Sequence, residues 1–190
     1  MKLFALLTVL AGLSLVTPAL AHQGIIHEGC PTGQVFTAGD LTITGAYARA
    51  TPPNAKVGGG YLVIENHGTA PDTLLRGVSE AAKTAEVHKM EMAGDVMKMG
   101  AVEGGLEIPA GGSVALTPGA YHLMMTGLIP AFKQGQCLKL TLQFAKAGDV
   151  PIVLNIGSMA AGAAPDGTMA MPAAGAMDMP MDHAMDAPKP

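Results

Sequence analysis

The residues best suited to chemistry in this 190-residue chain are histidines and methionines of one stretch, 88–125. Two His-x-Met triplets, His88-Lys89-Met90 and His122-Leu123-Met124, lie at its two ends, and Met97-Lys98-Met99 lies between them. Side chains two apart on a β-strand share a face, so each triplet offers an imidazole and a thioether in one direction. Thioethers are neutral, polarizable ligands that need no deprotonation. The pattern therefore predicts a soft-metal site, with Cu(I) as the best candidate.

Other metal sites fit this stretch less well. Calcium and magnesium need several carboxylates, and the acidic residues here do not recur with the histidines. Zinc prefers His, Cys and carboxylate ligands, so two histidines with two methionines make a poor zinc site. A blue-copper electron carrier needs a Cys ligand with a neighbouring His and Met, which Cys137 lacks. A single methionine is often only a core residue, and Met125 is predicted to be one because it points opposite to Met124.

Enzymatic, nucleic-acid and membrane-surface functions receive little support. The chain has no G-x-S-x-G and no H-E-x-x-H motif, and its two cysteines lack a vicinal partner. We therefore expect a protein that is not an enzyme. The formal net charge is −4 and no basic run is present, which argues against nucleic acid or anionic lipid as a partner.

Residues 1–21 have the pattern of a secretion signal, with Lys2 before an apolar run and a small-x-small site ending at Ala21. An uncleaved anchor is less favoured, because the run is short for a membrane span and Pro18 ends it. We expect a periplasmic protein without a membrane span after cleavage. His22 would then be the amino terminus, where an α-amine and an imidazole together chelate Cu(II).

Cys30 and Cys137 are the two cysteines of the chain. In an oxidising compartment a disulfide that ties the N-terminal segment to a late strand is favoured, and it would stabilise the fold by roughly 3–5 kcal/mol. The alternative is a pair of thiol copper ligands, although neither cysteine has a C-x-x-C or C-x-C spacing.

Short segments rich in β-formers predict an antiparallel β-sandwich, with turn residues roughly every 8–12 residues. A loosely patterned lead-in, 22–37, precedes one domain, 38–157. A hairpin is predicted from 86 to 102, with the first His-x-Met triplet on one arm and Met97 and Met99 on the other. The predicted strands are 41–49, 61–65, 72–78, 84–92, 96–102, 106–108, 113–117, 121–125, 137–145 and 150–156.

The composition changes after Gly157. Residues 158–190 hold seven methionines and His183 among Ala, Gly, Pro and Asp, with no aromatic residue. Such a segment cannot form a packed core, so a disordered tail is predicted. Because soft thioethers select Cu(I), a flexible metal-capture arm is favoured over a plain low-complexity tail.

The run from Glu86-Val87-His88 through Pro118-Gly119-Ala120-Tyr121-His122-Leu123-Met124 resembles the periplasmic copper chaperones of the PCuAC family. The resemblance covers roughly residues 38–157. Its motif is a His, a Met about ten residues on, and a His-x-Met some twenty residues later. Here ten residues separate His88 from Met99, and twenty-two separate Met99 from His122. Carried over to this chain, the motif implies His88, Met99, His122 and Met124 as Cu(I) ligands, with Met90, Met97, His22 and His183 secondary.

The resemblance implies a cupredoxin-like, Greek-key β-sandwich, which we expect to be a monomer, with one Cu(I) at an exposed edge. It also implies delivery of copper toward cytochrome c oxidase copper-centre assembly, beside a Sco-type assembly protein, with the tail taking Cu(II) or further copper. Two alternatives stay open. One is a periplasmic copper scavenger or buffer that relies chiefly on the tail. The other is a thiol reductase that acts on the oxidase copper-site cysteines.

Overall fold

The computed structural model describes residues 24–26 and 29–165, so the predicted signal peptide, His22, His183 and the tail after residue 165 lie outside the described residues. The described residues form β-strands and no helix, which confirms the all-β class. This part of the chain accordingly has no helix long and apolar enough to cross a membrane. The strands are β1 (Ile25–Ile26), β2 (Phe36–Ala38), β3 (Leu41–Arg49), β4 (Val57–Asn66), β5 (Asp72–Val78), β6 (Thr84–Ala93), β7 (Val96–Ala101), β8 (Leu106–Ile108), β9 (Ser113–Leu116), β10 (Tyr121–Thr126), β11 (Cys137–Phe144) and β12 (Gly148–Gly157).

Each strand predicted from the sequence is present, and the largest difference is at the start of β4. That strand begins at Val57 rather than at Tyr61, because the glycines between them pair with β10. Glycine has low β-propensity, so local sequence gave no sign of this extension. The short strands β1 and β2 are also additions, and they pair with β11 and β3. β1 lies in the predicted lead-in, and β2 crosses its predicted end at residue 37.

The strands close into a sandwich. Neighbouring strands follow the order β11, β12, β3, β4, β10, β6 and β5, and β5 then pairs with β11. Most pairs are antiparallel, as predicted, whereas β12 with β3 and β9 with β10 are parallel. The closure leaves β7 outside this path, since β7 pairs with β6.

Alternation along β10 separates the core from the outer surface. Leu123 and Met125 are fully buried in the core, and the prediction that Met125 is a core residue is confirmed. The residues between and before them, His122 and Met124, therefore point to the opposite face of the sheet. The core itself consists mainly of Leu, Ile, Val and Ala contributed by strands around the whole sandwich.

The β6–β7 hairpin extends beyond the packed sandwich. Residues 91–101 are all exposed. Gly94 has a φ of +65° in the two-residue turn between Ala93 and Val96, which are a register pair. A positive φ at the first turn residue is typical of the tight turns that join antiparallel strands. The turn therefore fixes which residues of the two arms face each other.

The first residues after β12 pack on the sandwich, although the sequence predicted a disordered tail from residue 158. Ala164 is buried against Tyr47 and Tyr61, whose ring centroids lie 4.9 Å apart. Arg49 donates a hydrogen bond from Nε to the carbonyl of Ala161 at 2.8 Å. Burial raises the pKa of the Tyr47 hydroxyl, and the Arg49 charge partly opposes that effect. Residues 161–164 thus cover an aromatic patch on the outer face of β3 and β4.

Cys30 and Cys137 form a disulfide with a Cα–Cα distance of 5.7 Å. Cys137 opens β11 and is fully buried, and β1 pairs with the same strand. The N-terminal segment is therefore joined to the sandwich by a covalent bond and by strand pairing.

Candidate metal centre

The predicted ligands lie on three neighbouring strands, β7, β6 and β10, in that order across the sheet. His88 of β6 and His122 of β10 are direct register partners. Partners in an antiparallel pair point to the same face, so the two imidazoles lie side by side. Met124 follows His122 by two residues and shares that face. Sheet pairing therefore brings together two triplets that are more than thirty residues apart in sequence.

The hairpin register sets the methionines at two distances from His88. Met90 pairs with Met99, and Met92 pairs with Met97, all on the face of His88. Successive rows of side chains on one face lie roughly 7 Å apart, because a strand rises about 3.3 Å per residue. Met99 is thus one row from His88, whereas Met97 is two rows away. Met97, which the sequence analysis gave as a secondary ligand, thus lies one row farther from His88 than Met99 does.

Met92 shares the ligand-bearing face, although the sequence analysis did not select it. The signal was present in the alternation of Met90, Glu91 and Met92 along one predicted strand. No local pattern showed that Met92 faces Met97 across the hairpin, because that depends on the turn. The face therefore holds one more thioether than we predicted.

The two imidazoles differ in their hydrogen bonds. Their ring centroids lie 6.0 Å apart, with an angle of 48° between the ring planes. His122 is 8% exposed and donates a hydrogen bond from Nδ1 to the carbonyl oxygen of Ala120 at 3.2 Å. A carbonyl only accepts, so Nδ1 carries a proton, and in the neutral ring the lone pair available to a metal is on Nε2. Histidine ligands in metal sites are oriented by a hydrogen bond of this kind.

His88 has two buried ring nitrogens, and neither has a hydrogen-bond partner. The nearest acid, Glu86, places a carboxylate oxygen 3.7 Å from Nε2, which is longer than a hydrogen bond. A buried polar group without a partner costs about 1–3 kcal/mol. A ligand that binds the His88 nitrogens would therefore remove this free-energy cost.

The space between the rings suits a single ion. An ion about 2 Å from an imidazole nitrogen lies roughly 3 Å from the centre of that ring. The observed separation of 6.0 Å thus leaves room for one ion shared by both rings. The residues present therefore fit a metal ion bound through nitrogen, with thioethers one row away on either side.

Met124 forms the inner boundary of this arrangement. It is partly buried, and its neighbours across the sheet are Glu86 of β6 and Gly59 of β4. A side chain at Gly59 would place its Cβ 2.7 Å from the hydroxyl oxygen of Tyr61. The glycine thus leaves room for the Tyr61 hydroxyl over β4, in the row of Met124.

The donors of the site are soft or neutral. Within residues 24–26 and 29–165 no group of three or more His, Cys, Asp or Glu side chains is placed to hold a metal. The sulfurs of Cys30 and Cys137 are bonded to each other, and β11 does not border β10 or β7. The described donor set is therefore imidazole and thioether, which favours a soft ion over zinc or a hard divalent cation.

Two sequence comparisons relate the chain to known proteins. The LpqE-like family model matches residues 41–156. A curated relative from Leifsonia xyli subsp. xyli, named "Putative lipoprotein Lxx21020", is 27% identical over 93 residues. That match covers 49% of this chain and 56% of the relative, so the chain spans little more than half the length of that relative.

Solved structures share the fold. The copper-bound PCuAC domain from PmoF2 matches with a TM-score of 0.57 at 20% identity, over 66% of this chain and 98% of that domain. The apo PCuAC domain from PmoF1 gives 0.56 at 24% identity, over 66% and 99%. The Cu(I) form of DR1885 from Deinococcus radiodurans gives 0.50 at 23% identity, over 65% and 80%. These likenesses confirm the predicted cupredoxin-like sandwich.

Proposed function

Because the chain belongs to the LpqE-like family and shares the fold of PCuAC domains, we propose that it is an exported copper chaperone whose cargo is Cu(I). The resemblance to the PCuAC family predicted from the sequence is confirmed by these matches. The observation that carries the proposal is the register pair of His88 and His122, in which the buried His88 nitrogens have no hydrogen-bond partner.

The proposed ligands are His88, His122, Met99 and Met124. The two imidazoles form the central row, and the two thioethers lie one row away on opposite sides of it. Met90 shares a row with Met99 and is the reserve thioether, whereas Met97 is one row too distant. All four ligands are neutral, so they do not compensate the charge of Cu(I), and the Glu86 carboxylate 3.7 Å from His88 Nε2 is the neighbouring negative charge. Such a site holds the ion and also lets it leave.

Exposure of the ligands supports delivery rather than permanent storage. Met99 is 48% exposed, whereas His122 is 8% exposed. An acceptor protein can therefore displace the Met99 thioether first while the histidines still hold the ion. Transfer would then proceed by exchange of ligands, with copper remaining Cu(I) throughout.

The recipient we propose is the copper-site subunit of cytochrome c oxidase, together with a Sco-type assembly protein, and the compartment is the periplasm. The support is the PCuAC resemblance and the signal-like residues 1–21. His22, His183 and the six methionines after Pro165 would take Cu(II) or additional copper. A chain that ends at Pro165 should therefore keep one tightly bound Cu(I), whereas a copper buffer that relies on the tail would lose most of its copper.

Competition with a chromophoric Cu(I) chelator tests the proposal on the full-length mature protein. The variant His122→Ala/Met124→Ala should lose at least about 100-fold in affinity for the first Cu(I), because a nitrogen ligand and a sulfur ligand are removed together. The matched control is His67→Ala/Met159→Ala, which changes the same residue types at exposed positions elsewhere. Unchanged affinity in the first variant would rule out the proposed site.

A further inference from the structure

The outer half of the β6–β7 hairpin carries four methionines on one face. They form two cross-strand pairs, Met90 with Met99 and Met92 with Met97. The opposite face carries charged residues, since Glu91 pairs with Lys98 and its carboxylate lies 3.4 Å from the ammonium of Lys89. The hairpin therefore has a thioether face and an ionic face.

Packing does not account for the thioether face. Met92, Met97 and Met99 are 61%, 56% and 48% exposed, and none of the four methionines belongs to the core. The hairpin extends beyond the core, so its methionines do not cover any apolar surface of the sandwich. A contiguous exposed apolar surface of this kind usually serves to bind something.

The spacing separates the outer methionines from the histidine pair. Side chains directly opposite each other have Cβ atoms about 5 Å apart, so the thioethers of one pair can meet at a single ion. Met92 and Met97 lie two rows, roughly 13 Å, from His88. They are therefore too far away to share an ion with the two histidines. An ion that Met92 and Met97 bind must be a second one.

We infer that Met90, Met92 and Met97 form a second metal site, made of thioethers alone, on the outer half of the hairpin. Met99 faces Met90 and borders both sites. The inference rests on the proposed function for its cargo, Cu(I), and its chemistry selects soft monovalent ions in general. Three neutral thioethers bind such an ion more weakly than a set that includes two imidazoles, so this site fills second.

The position of the second site gives it a role in exchange. It lies on an exposed arm, where an incoming donor or a waiting acceptor can reach the ion without disturbing the buried histidines. When the histidine site is empty, an ion can move inward with its charge unchanged. The bonds to the sulfurs of Met92, Met97 and Met90 break, and bonds to the sulfurs of Met99 and Met124 and to the nitrogens of His88 and His122 form.

Methionine methyl NMR on the full-length mature protein, with Ag(I) as a redox-inert probe, tests the inference. We expect the first equivalent to shift the Met99 and Met124 methyl signals, and the next to shift those of Met90, Met92 and Met97. In Met92→Leu/Met97→Leu the second phase at Met90 should disappear, while affinity for the first equivalent changes less than about 2-fold. Leucine conserves side-chain volume, so the hairpin is kept.

The control variant is Met159→Leu, which removes an equally exposed methionine far along the chain and should leave both phases intact. Zinc should shift none of the hairpin methyl signals. The inference is overturned if the Met92 and Met97 signals stay unmoved through two further equivalents, or move only together with Met159. Absence of the first phase at Met124 would instead overturn the proposed function, so the two failures are distinguishable.

Discussion

The two ends of β6 place similar ligands in opposite surroundings. At the inner end, His88 is backed by the sandwich and paired with His122, whose ring is oriented by a backbone carbonyl. At the outer end, Met92 extends into solvent opposite Met97. Burial fixes ligand positions and raises affinity, whereas exposure makes ligands easy to exchange. A protein that must both hold and release an ion has a use for both ends on one strand.

The largest expected contrast is in stability. Met125→Ala should lower the free energy of unfolding by about 2–5 kcal/mol, because Met125 is fully buried and its truncation leaves a cavity. Met99→Ala should change it by less than about 0.5 kcal/mol, since that side chain is exposed. Urea unfolding of the metal-free proteins measures both. Equal costs would mean that the hairpin methionines pack in the core after all.

At His88 we expect one substitution to change Cu(I) affinity and the stability of the metal-free protein in opposite directions. His88→Leu should lower affinity for the first Cu(I) by about 100-fold or more while making the metal-free protein more stable by about 1–3 kcal/mol, because two unsatisfied buried nitrogens are removed. Chelator competition and urea unfolding give the two values. The matched substitution Met97→Leu should change neither by more than a few tenths of a kcal/mol. A loss of stability in the metal-free His88 variant would contradict the view that His88 lacks partners.

The smallest contrast concerns the turn. Gly94→Ala should cost roughly 1–2 kcal/mol, because a residue with a Cβ is strained at a φ of +65°. We expect the effect to be confined to the hairpin, since a Cβ at Gly94 would meet no other atom within 4 Å. Hydrogen exchange should show faster exchange at β7 amides and unchanged protection at Leu123. Faster exchange across β10 as well would show that the two ends of β6 are not independent.

Much of the fold could be predicted from the sequence because alternation and turn residues are local signals. The strand 72–78 and the short strand 106–108 match the structure at both ends. Three features could not be predicted, since each depends on partners distant in sequence. These are the glycine-rich start of β4, the strands β1 and β2, and the packing of residues 161–164 on Tyr47 and Tyr61.

In the candidate site, too, local features could be predicted from the sequence and features that depend on distant partners could not. Residue types and spacing indicated two histidines and several methionines, and the family resemblance supplied a set of four. The row that each methionine occupies depends on the register set by the Gly94 turn. The sequence therefore ranked Met99 above Met97 only through the family resemblance, and it did not indicate Met92. The missing partners of His88 also depend on packing between strands, which no local pattern encodes.

X-ray absorption spectroscopy of the full-length mature protein loaded with one equivalent of Cu(I) tests the central claim most directly. Ligation by the histidine pair and two thioethers predicts a mixed first shell, with two nitrogens at about 2.0 Å and two sulfurs at about 2.3 Å. The nitrogen contribution should fall to one in His88→Leu and stay at two in Met97→Leu. A shell of sulfur alone in the unmodified protein would contradict the account, because it would place the first ion on the methionines and leave His88 and His122 without a role.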